Sequence, residues 1–304
     1  MLLYAKEGER VNRLTYTVPP AWDGKRTQEF LRIGCGLSWR MVVRLRNMDG
    51  GITVDGAVRR TIDPVRAGET VILTLPQDTL RVEPTAMPIS VAFEDDMLLV
   101  VDKPPYLAVH PSAGRPEPTL ANGVMAYWEA RGENHSFRPV NRLDRNTSGL
   151  LLAAKNAHVT YALTRKPYKE YLALVHGVLT GEGLIDQPLR LQEGSFIARE
   201  VGEGGKESRT HWKALASDSE ITLVRLWLET GRTHQIRVHM AWLGHPLLGD
   251  TLYGFEDGLL PRHGLHCARM CFTHPITGEE IDLKSPLPAD MQAVLDARDI
   301  KEEL

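Results

Sequence analysis

The residues best suited to chemistry fall in one short polar segment that leads into an apolar strand. In residues 141–148 (NRLDRNTS), a single carboxylate, Asp144, stands between the guanidinium groups of Arg142 and Arg145. Residues 150–154 (LLLAA) then predict a buried strand. One interpretation is a surface loop with salt bridges, each worth at most about 1 kcal/mol. The other is an ionised carboxylate at a strand mouth, which suits a nucleophile because aspartate has an ordinary pKa of about 3.9.

Two further segments carry polar side chains at the ends of predicted elements. Residues 169–177 (KEYLALVHG) place Tyr171 at the start of an apolar strand, where a tyrosine is more often a core residue than a catalytic one. Residues 229–240 predict a helix capped by Thr233. In or beside its first turn stand Arg232, His234, Gln235 and Arg237. Backbone amides and guanidinium groups there would suit phosphates, and the alternative is an amphipathic helix with a polar outer face.

The composition is that of an ordinary globular protein, but the charge is unevenly distributed. The chain has 304 residues, 42% hydrophobic and 25% charged, which excludes disorder, collagen-like repeats and coiled coil as the main architecture. The net charge of -3 does not by itself point to nucleic acid. However, residues 25–66 hold nine Lys/Arg against four Asp/Glu, a net charge of +5. Arg40 and Arg44 project together from a predicted helix of this unit, so its face is either merely solvated or meets phosphates.

The N-terminus and the cysteines favour a cytoplasmic protein. The first twenty residues lack the basic start and apolar run of a signal peptide, and no stretch approaches about 18 apolar residues. Three cysteines do not suggest a disulfide framework. A zinc site is conceivable among His263, His266, Cys267, Cys271 and His274. Alternation over 264–273 instead predicts a strand with both cysteines on one face as buried thiols, so we expect no metal.

The first 75 residues predict helix, helix, hairpin and strand in that order. A short helix is expected over 27–33, and Ser38 is placed to cap a second one. The buried face of this second helix would be formed by Met41, Val42 and Leu45. Asp55-Gly56 joins two short β-rich runs and is a strong hairpin signal, because both turn positions need positive φ. A further strand is expected over 70–75.

A proline-rich segment, 76–88, then divides the chain, which predicts a small domain over 1–76, a linker over 77–88 and a large domain over 89–304. Apolar residues on both faces of 221–229 predict a central strand with cover on each side. The remaining strands are expected over 89–93, 97–102, 168–176 and 264–273, and helices over 119–131, 157–165, 233–243 and 289–298. Because strands and helices do not alternate regularly, we expect an α+β fold with a mixed, mostly antiparallel sheet flanked by helices.

Taken together, the three polar segments resemble the motifs of the RluA-type pseudouridine synthases. The first matches over 141–152, with Asp144 at the position of the catalytic aspartate. The second resembles the motif that carries the active-site tyrosine, here Tyr171, and the third the motif whose arginine, here Arg237, pairs with the aspartate. The resemblance covers residues 89–288 in matching order, which implies the pseudouridine synthase fold. The first 75 residues resemble, more loosely, the small RNA-binding module of the ribosomal protein S-four type.

The resemblance implies isomerisation of uridine to pseudouridine in structured RNA, ribosomal or transfer RNA, without a cofactor. The bond from N1 to the ribose breaks, the uracil turns, and C5 bonds to the ribose. Flipping the base out costs a few kcal/mol, and stacking it on a tyrosine could return about 1–3 kcal/mol, which favours Tyr171 as a platform. Arg237 would orient Asp144. RNA contacts are expected from Arg142, Arg145, Thr147, Arg232, His234 and Gln235, and in the small domain from Arg40 and Arg44.

One departure and two other functions are open at this point. Asn141 stands where the family usually has histidine, and we expect this to alter RNA contacts more than chemistry. A catalytically inactive RNA-binding or ribosome-assembly protein would keep the basic unit without the reaction. A glycosidic-bond hydrolase would use Asp144 as nucleophile and need a second carboxylate, for which Asp250 is available. We expect a monomer with no membrane and no obligate protein partner.

Overall fold

The computed structural model describes residues 13–75, 82–111, 117–163 and 167–301. Over these ranges the chain forms a small four-stranded sheet with two helices and a large mixed sheet flanked by helices. This architecture confirms the predicted α+β class. None of the helices in the described ranges has the length and apolar character needed to cross a membrane.

The N-terminal unit has the predicted order of elements and one strand that was not expected. It consists of β1 (Arg13–Thr17), α1 (Thr27–Glu29), α2 (Trp39–Arg46), β2 (Ile52–Val54), β3 (Ala57–Val58) and β4 (Thr70–Thr74). A π-helical turn over Phe30–Gly34 extends α1. The unexpected strand, β1, pairs along its whole length with β4, and the sheet order is β1-β4-β2-β3.

Local sequence signals explain two junctions of this unit. The Ser38 hydroxyl accepts a hydrogen bond from the Met41 amide at 3.2 Å, which satisfies one of the free N–H groups at the start of α2. Asp55 and Gly56 have φ of 46° and 81°, as a tight two-residue hairpin requires. Both features confirm the sequence predictions.

The N-terminal unit has its own core, and one segment connects it to the rest. The buried side chains of this core run from Leu14 to Leu75 and include Val42 and Leu45 on the inner face of α2. Residues 76–81, which include the start of the predicted linker, lie outside the described ranges. Residues 82–90 form no helix or strand, but they do not hang free. The Asn122 side chain donates a hydrogen bond to the Glu83 carbonyl at 2.8 Å, and this bond attaches that part of the chain to the large unit.

The large unit is organised around a ten-stranded sheet. In chain order the strands after β4 are β5 (Val91–Glu94), β6 (Leu98–Lys103), β7 (Arg138–Pro139), β8 (Ser148–Ala154), β9 (Tyr168–His176), β10 (Glu182–Asp186), β11 (Leu189–Leu191), β12 (Arg199–Val201), β13 (Arg209–Ser217), β14 (Ile221–Leu228), β15 (Leu265–Thr273) and β16 (Glu280–Lys284). The spatial order in the large sheet is β10-β13-β14-β9-β15-β8-β6-β5, with β16 beside β15 and β7 beside β8. Only the β15–β8 pair is parallel among the strand pairs of the described ranges, as expected for a mostly antiparallel sheet.

Helices cover both faces of this sheet. They are α3 (Leu120–Glu129), α4 (Ala157–Leu163), α5 (Gln235–Trp242) and α6 (Ala289–Ala297). Val224 and Leu226 of β14 belong to the main core, whereas Leu223 packs in a second cluster with Met291 of α6. The central strand is therefore covered on each side, as its sequence predicts. The short β11–β12 hairpin stands apart from the large sheet.

The two cysteines of β15 do not share a face, so that prediction was wrong. A bulge between Cys267 and Arg269 shifts the register, so that Cys267 lies opposite Tyr171 of β9 and Cys271 opposite Tyr168. One extra residue reverses the alternation of side chains beyond it. Cys267 is consequently buried, whereas Cys271 is only partly buried. Within the described ranges no group of three or more His, Cys, Asp or Glu side chains is arranged to hold a metal ion.

Gly149 permits the close approach of β8 and β15. It lies opposite Cys267 in the parallel pair and has φ of 103°, a conformation that other residues rarely adopt. A Cβ at this position would lie 2.7 Å from the backbone nitrogen of Cys267 and closer still to its carbonyl oxygen. Since both obstacles are backbone atoms in a sheet, neither can move aside cheaply.

We therefore expect Gly149→Ala to lower the free energy of unfolding by more than about 2 kcal/mol, from backbone strain combined with steric overlap. Gly181→Ala is the matched control, because Gly181 has φ of 81° but open space around its Cβ position. It should cost only about 1 kcal/mol. Urea unfolding followed by circular dichroism measures both, and equal losses would contradict the packing argument.

Candidate active site

The loop that carries Asp144, residues 141–147, is held from behind by two buried cations. The Lys103 ammonium donates to the Arg145 carbonyl at 3.1 Å and to two further carbonyls, those of Pro104 and Leu107. The Arg262 guanidinium donates to the Asn146 carbonyl at 3.0 Å. Burial, together with the Arg262 charge, lowers the pKa of Lys103 to about 7. Its three ammonium hydrogens nevertheless have three carbonyl acceptors, the arrangement that suits the charged form.

Side chains of the loop itself also bond inward. Asn141 is buried, accepts a hydrogen bond from the Leu152 amide at 2.8 Å and donates to the Leu150 carbonyl at 3.4 Å. Both hydrogen bonds of the Asn141 amide are therefore made to the backbone of β8. These bonds, which fix the loop to the strand, account for an uncharged residue at this position. Thr147 is buried as well, and its hydroxyl lies 2.8 Å from Nε2 of His263.

Asp144 is anchored through one of its two carboxylate oxygens. Nη1 of Arg237 lies 3.4 Å from Oδ2 of Asp144, and Nε2 of His234 lies 3.8 Å from the same oxygen. Within the described ranges both of these side-chain nitrogens approach Oδ2, so Oδ1 is the oxygen left to meet a ligand. The side chain is 28% exposed and lines a cleft, so a ligand there can reach it.

Arg237 pairs more tightly with a carboxylate that the motif comparison did not assign to it. Its Nε and Nη2 each donate to Asp250 at 2.7 Å, in a bidentate pair inside the protein. Although burial opposes ionisation, the hydrogen bonds from Arg237 hold the pKa of Asp250 below its usual value. The guanidinium also lies over the ring of Tyr253, 4.9 Å from its centroid. The predicted contact between Arg237 and Asp144 exists, but as the longer of two.

Tyr171 forms a wall of the cleft and belongs to the core at the same time. It is 5% exposed, lies opposite Cys267 in the sheet, and lines the same cleft as Asp144. Burial raises the pKa of its phenol well above the usual value. The phenol of Tyr171 is therefore neutral, and it does not supply a phenolate base.

The cleft in front of these residues has a volume of about 750 Å³, which is within the range of pockets that hold small molecules. The predicted site residues that line it are Arg142, Asp144, Thr147, Tyr171, Arg232, His234, Gln235 and Arg237. Arg145 does not line it. Its guanidinium donates to Glu117 at 3.0 Å, and it borders a neighbouring pocket with Tyr106.

The start of α5 differs from the prediction. The helix begins at Gln235, and its N-cap is His234 in the left-handed conformation with φ of 57°, without the Thr233 cap. The reason is Gln235, whose side chain accepts hydrogen bonds from the Arg232 amide and the Thr230 hydroxyl and thereby closes the preceding turn. Because Gln235 is buried and also donates to β13, it is placed to hold this turn, and its amide is not available to RNA.

A carboxylate, an arginine and a tyrosine converge on one cleft at the centre of a mixed sheet, beside exposed arginines. This combination is the one that the resemblance of the three segments implies for an RNA-modifying enzyme. Comparison with known proteins then identifies the family.

A family profile described as RNA pseudouridylate synthase matches residues 97–242. The uncharacterized RNA pseudouridine synthase YjbO of Bacillus subtilis is 36% identical over 270 residues, which cover 86% of this chain and 95% of that protein. The ribosomal large subunit pseudouridine synthase D of Vibrio parahaemolyticus is 36% identical over 271 residues, 82% of this chain and 83% of that one. The structure of human RNA pseudouridylate synthase domain containing 4 shares the fold, with a TM-score of 0.58 and 21% identity over 70% of this chain and 94% of that one. The chain belongs to the RNA pseudouridylate synthase family.

Its activity is accordingly that of an isomerase, which converts uridine in RNA to pseudouridine. The inactive alternative is not supported. The hydrolase alternative loses its second carboxylate, because Asp250 is ionised and both of its oxygens accept hydrogen bonds from Arg237. Four supporting residues were not assigned a role from the sequence: Lys103, Tyr253, Arg262 and His263.

The buried imidazole of His263 makes stability depend on pH. Burial, with the Arg237 charge, lowers the pKa of His263 to about 3, whereas an unfolded histidine titrates near about 6.5. The unfolded chain therefore takes up the proton first, and stability falls as the pH drops below that value.

We expect this residue to cost about 2 kcal/mol of unfolding free energy between pH 7.5 and pH 5.0. In His263→Gln, an amide oxygen can accept from Thr147 without titrating, so the loss over this interval should be smaller by that amount. Urea titrations at both pH values measure the difference. Between pH 7.5 and 8.5 the two proteins should change in parallel, and an unaltered loss on acidification would show that His263 is not the buried neutral group.

Proposed function

We propose that this enzyme modifies uridines of large-subunit ribosomal RNA in the cytoplasm, with Asp144 as the reacting carboxylate. The observation that carries the catalytic assignment is that Asp144 lines the cleft while its contacts with Arg237 and His234 are both made to Oδ2. We assign the other oxygen, Oδ1, to the substrate. The ribosomal substrate is supported by the name of the Vibrio parahaemolyticus relative. A monomer remains a prediction.

The reaction breaks the bond between N1 and C1′ of the ribose and forms one between C5 and C1′. The proton on C5 leaves to solvent and N1 gains one, so no electrons enter or leave. Oδ1 of Asp144 serves whichever centre the carboxylate reacts with, the ribose or the pyrimidine ring. The neutral ring of Tyr171 would stack on the flipped uracil and offset part of the cost of unstacking it from the RNA.

Arginines at the mouth of the cleft would hold the RNA backbone. Arg142 and Arg232 are both exposed and line the opening. Guanidinium groups there can pair with phosphates and fix the register of the substrate. Arg142 also lies in the same loop as Asp144. We therefore assign its side chain either to the space that the flipped base leaves in the RNA or to the phosphate beside that space.

The N-terminal unit would add affinity through its basic helix. Arg40 and Arg44 lie on the exposed side of α2, opposite the buried Val42 and Leu45. Next to them, Trp39 is 48% exposed, and the Arg32 guanidinium lies over its ring at 5.7 Å. A basic surface with an accessible aromatic ring suits both phosphates and unstacked bases.

We expect Asp144→Asn to abolish the activity, by a factor on the order of 10⁴ or more, with RNA affinity almost unchanged. The substitution keeps the size of the side chain and removes its charge. Tritium release from RNA labelled at uridine C5 measures turnover, and filter binding measures affinity. In cells that lack the gene, the wild-type gene should restore pseudouridines to large-subunit ribosomal RNA and the variant should not.

Asp96→Asn is the matched control, because Asp96 is exposed and does not line the cleft. It should release tritium at the wild-type rate. Turnover by Asp144→Asn near that of the wild type would refute the catalytic assignment. Restoration of pseudouridine in transfer RNA alone would refute the ribosomal substrate and leave the role of Asp144 intact.

We expect the double charge reversal Arg40→Glu/Arg44→Glu to weaken RNA binding and to make the salt dependence shallower by about two, near 0.9 for each lost phosphate contact. Binding curves at several salt concentrations measure the slope. Lys284→Glu/Lys301→Glu changes the total charge equally at exposed positions of the large unit. If both double variants lower the slope alike, α2 does not contact phosphates.

A further inference from the structure

A chain of hydrogen bonds leads from the β11–β12 hairpin to the side chain that faces Asp144. The backbone amide of Arg199, the first residue of β12, donates to the Tyr253 hydroxyl at 2.9 Å. That hydroxyl lies 2.7 Å from Nδ1 of His234. Nε2 on the other side of the imidazole lies 3.8 Å from Oδ2 of Asp144. No role in the reaction described above has yet been given to Tyr253.

The hydrogens in this chain can be placed by counting donors. The Arg199 amide can only donate, so the Tyr253 oxygen accepts there. Within the described ranges, Nδ1 of His234 is the acceptor in reach of the hydroxyl hydrogen, and we assign that hydrogen to it. A neutral imidazole that accepts at Nδ1 carries its hydrogen on Nε2. That hydrogen then points toward the carboxylate of Asp144. Burial lowers the pKa of His234 below its ordinary value, in agreement with a neutral ring.

The backbone of His234 indicates that its orientation is imposed. Its φ of 57° is left-handed, which is unfavourable for a residue with a Cβ and persists only where neighbouring contacts enforce it. Those contacts are the turn closed by Gln235 on one side and Tyr253 on the other. In a regular first helical turn, a histidine would have a negative, right-handed φ instead.

We propose that Tyr253 is a positioning residue that fixes the tautomer and direction of His234, so that His234 and Arg237 together hold Oδ2 of Asp144 and leave Oδ1 for the reaction. The inference rests on the proposed role of Asp144. It assigns two tasks to Tyr253, since its ring lies under the Arg237 guanidinium while its hydroxyl sets His234.

The test is Tyr253→Phe, which keeps the ring and removes only the hydroxyl. We expect the single-turnover rate constant of tritium release to fall about tenfold, the scale of one lost hydrogen bond in a charged network. The dissociation constant for RNA should change by less than about twofold, because Tyr253 acts on the carboxylate and not on the RNA. Tyr127→Phe is the matched control, since it removes a hydroxyl bonded to Glu94 away from the cleft, and it should react at the wild-type rate.

A double variant separates positioning from a general loss of structure. In a His234→Ala background, Tyr253→Phe should lower the rate by less than about twofold, because a residue that acts through His234 has nothing left to orient. Losses that multiply in the double variant, a wild-type rate in Tyr253→Phe, or a change confined to affinity would each overturn the proposal. Asp144→Asn in the same assay separates the two levels. If it is inactive while Tyr253→Phe is normal, only the positioning role fails; if it is active, the proposed function itself fails.

Discussion

The site depends on the hydrogen bonds that two buried cations donate to the backbone of one loop, residues 141–147. Lys103 comes from β6 and Arg262 from the segment before β15, and each donates to a carbonyl just beyond Asp144. A buried charge is tolerated only where its hydrogen bonds are satisfied, and Arg262 meets this condition through a bidentate pair with Asp290 of α6 as well. The position of the aspartate is thus set by two side chains that are 159 residues apart in the chain.

Charge pairing also bears on the reactivity that we propose for Asp144. A carboxylate in a bidentate pair with arginine uses both oxygens and is poorly available for chemistry. Here Asp250 takes that place, with two contacts of 2.7 Å, whereas Asp144 receives a single longer one. One arginine therefore serves two carboxylates unequally. The buried one keeps the guanidinium in place, and the accessible one is oriented by it without being immobilised.

Much of the fold and part of the site could be predicted from the sequence, for reasons that differ between residues. The predicted bounds of the strand over 168–176 agree with β9 at both ends, because its apolar run is long. The turn at Asp55-Gly56 is predictable because it depends on the conformational preferences of these two residues alone. The meeting of Asp144, Tyr171 and Arg237 was available only through resemblance, since spacing along the chain does not reveal distance in space. The bulge in β15 and the left-handed His234 gave no signal, because both arise from how neighbouring segments pair. Asp250 was considered only as an acid, because nothing in its sequence surroundings names its partner.

All seven residues of β8 are buried, and the strand has ladders to β6 on one side and β15 on the other. A strand held in this way cannot shift without breaking hydrogen bonds on both edges and opening the core on both faces. The loop that carries Asp144 leads directly into this strand and is held at its backbone by Lys103 and Arg262, so the carboxylate has a fixed position beside the sheet. Under the proposed function, most of the distortion would then fall on the RNA, and its resistance to opening would set how readily a given uridine reaches Asp144.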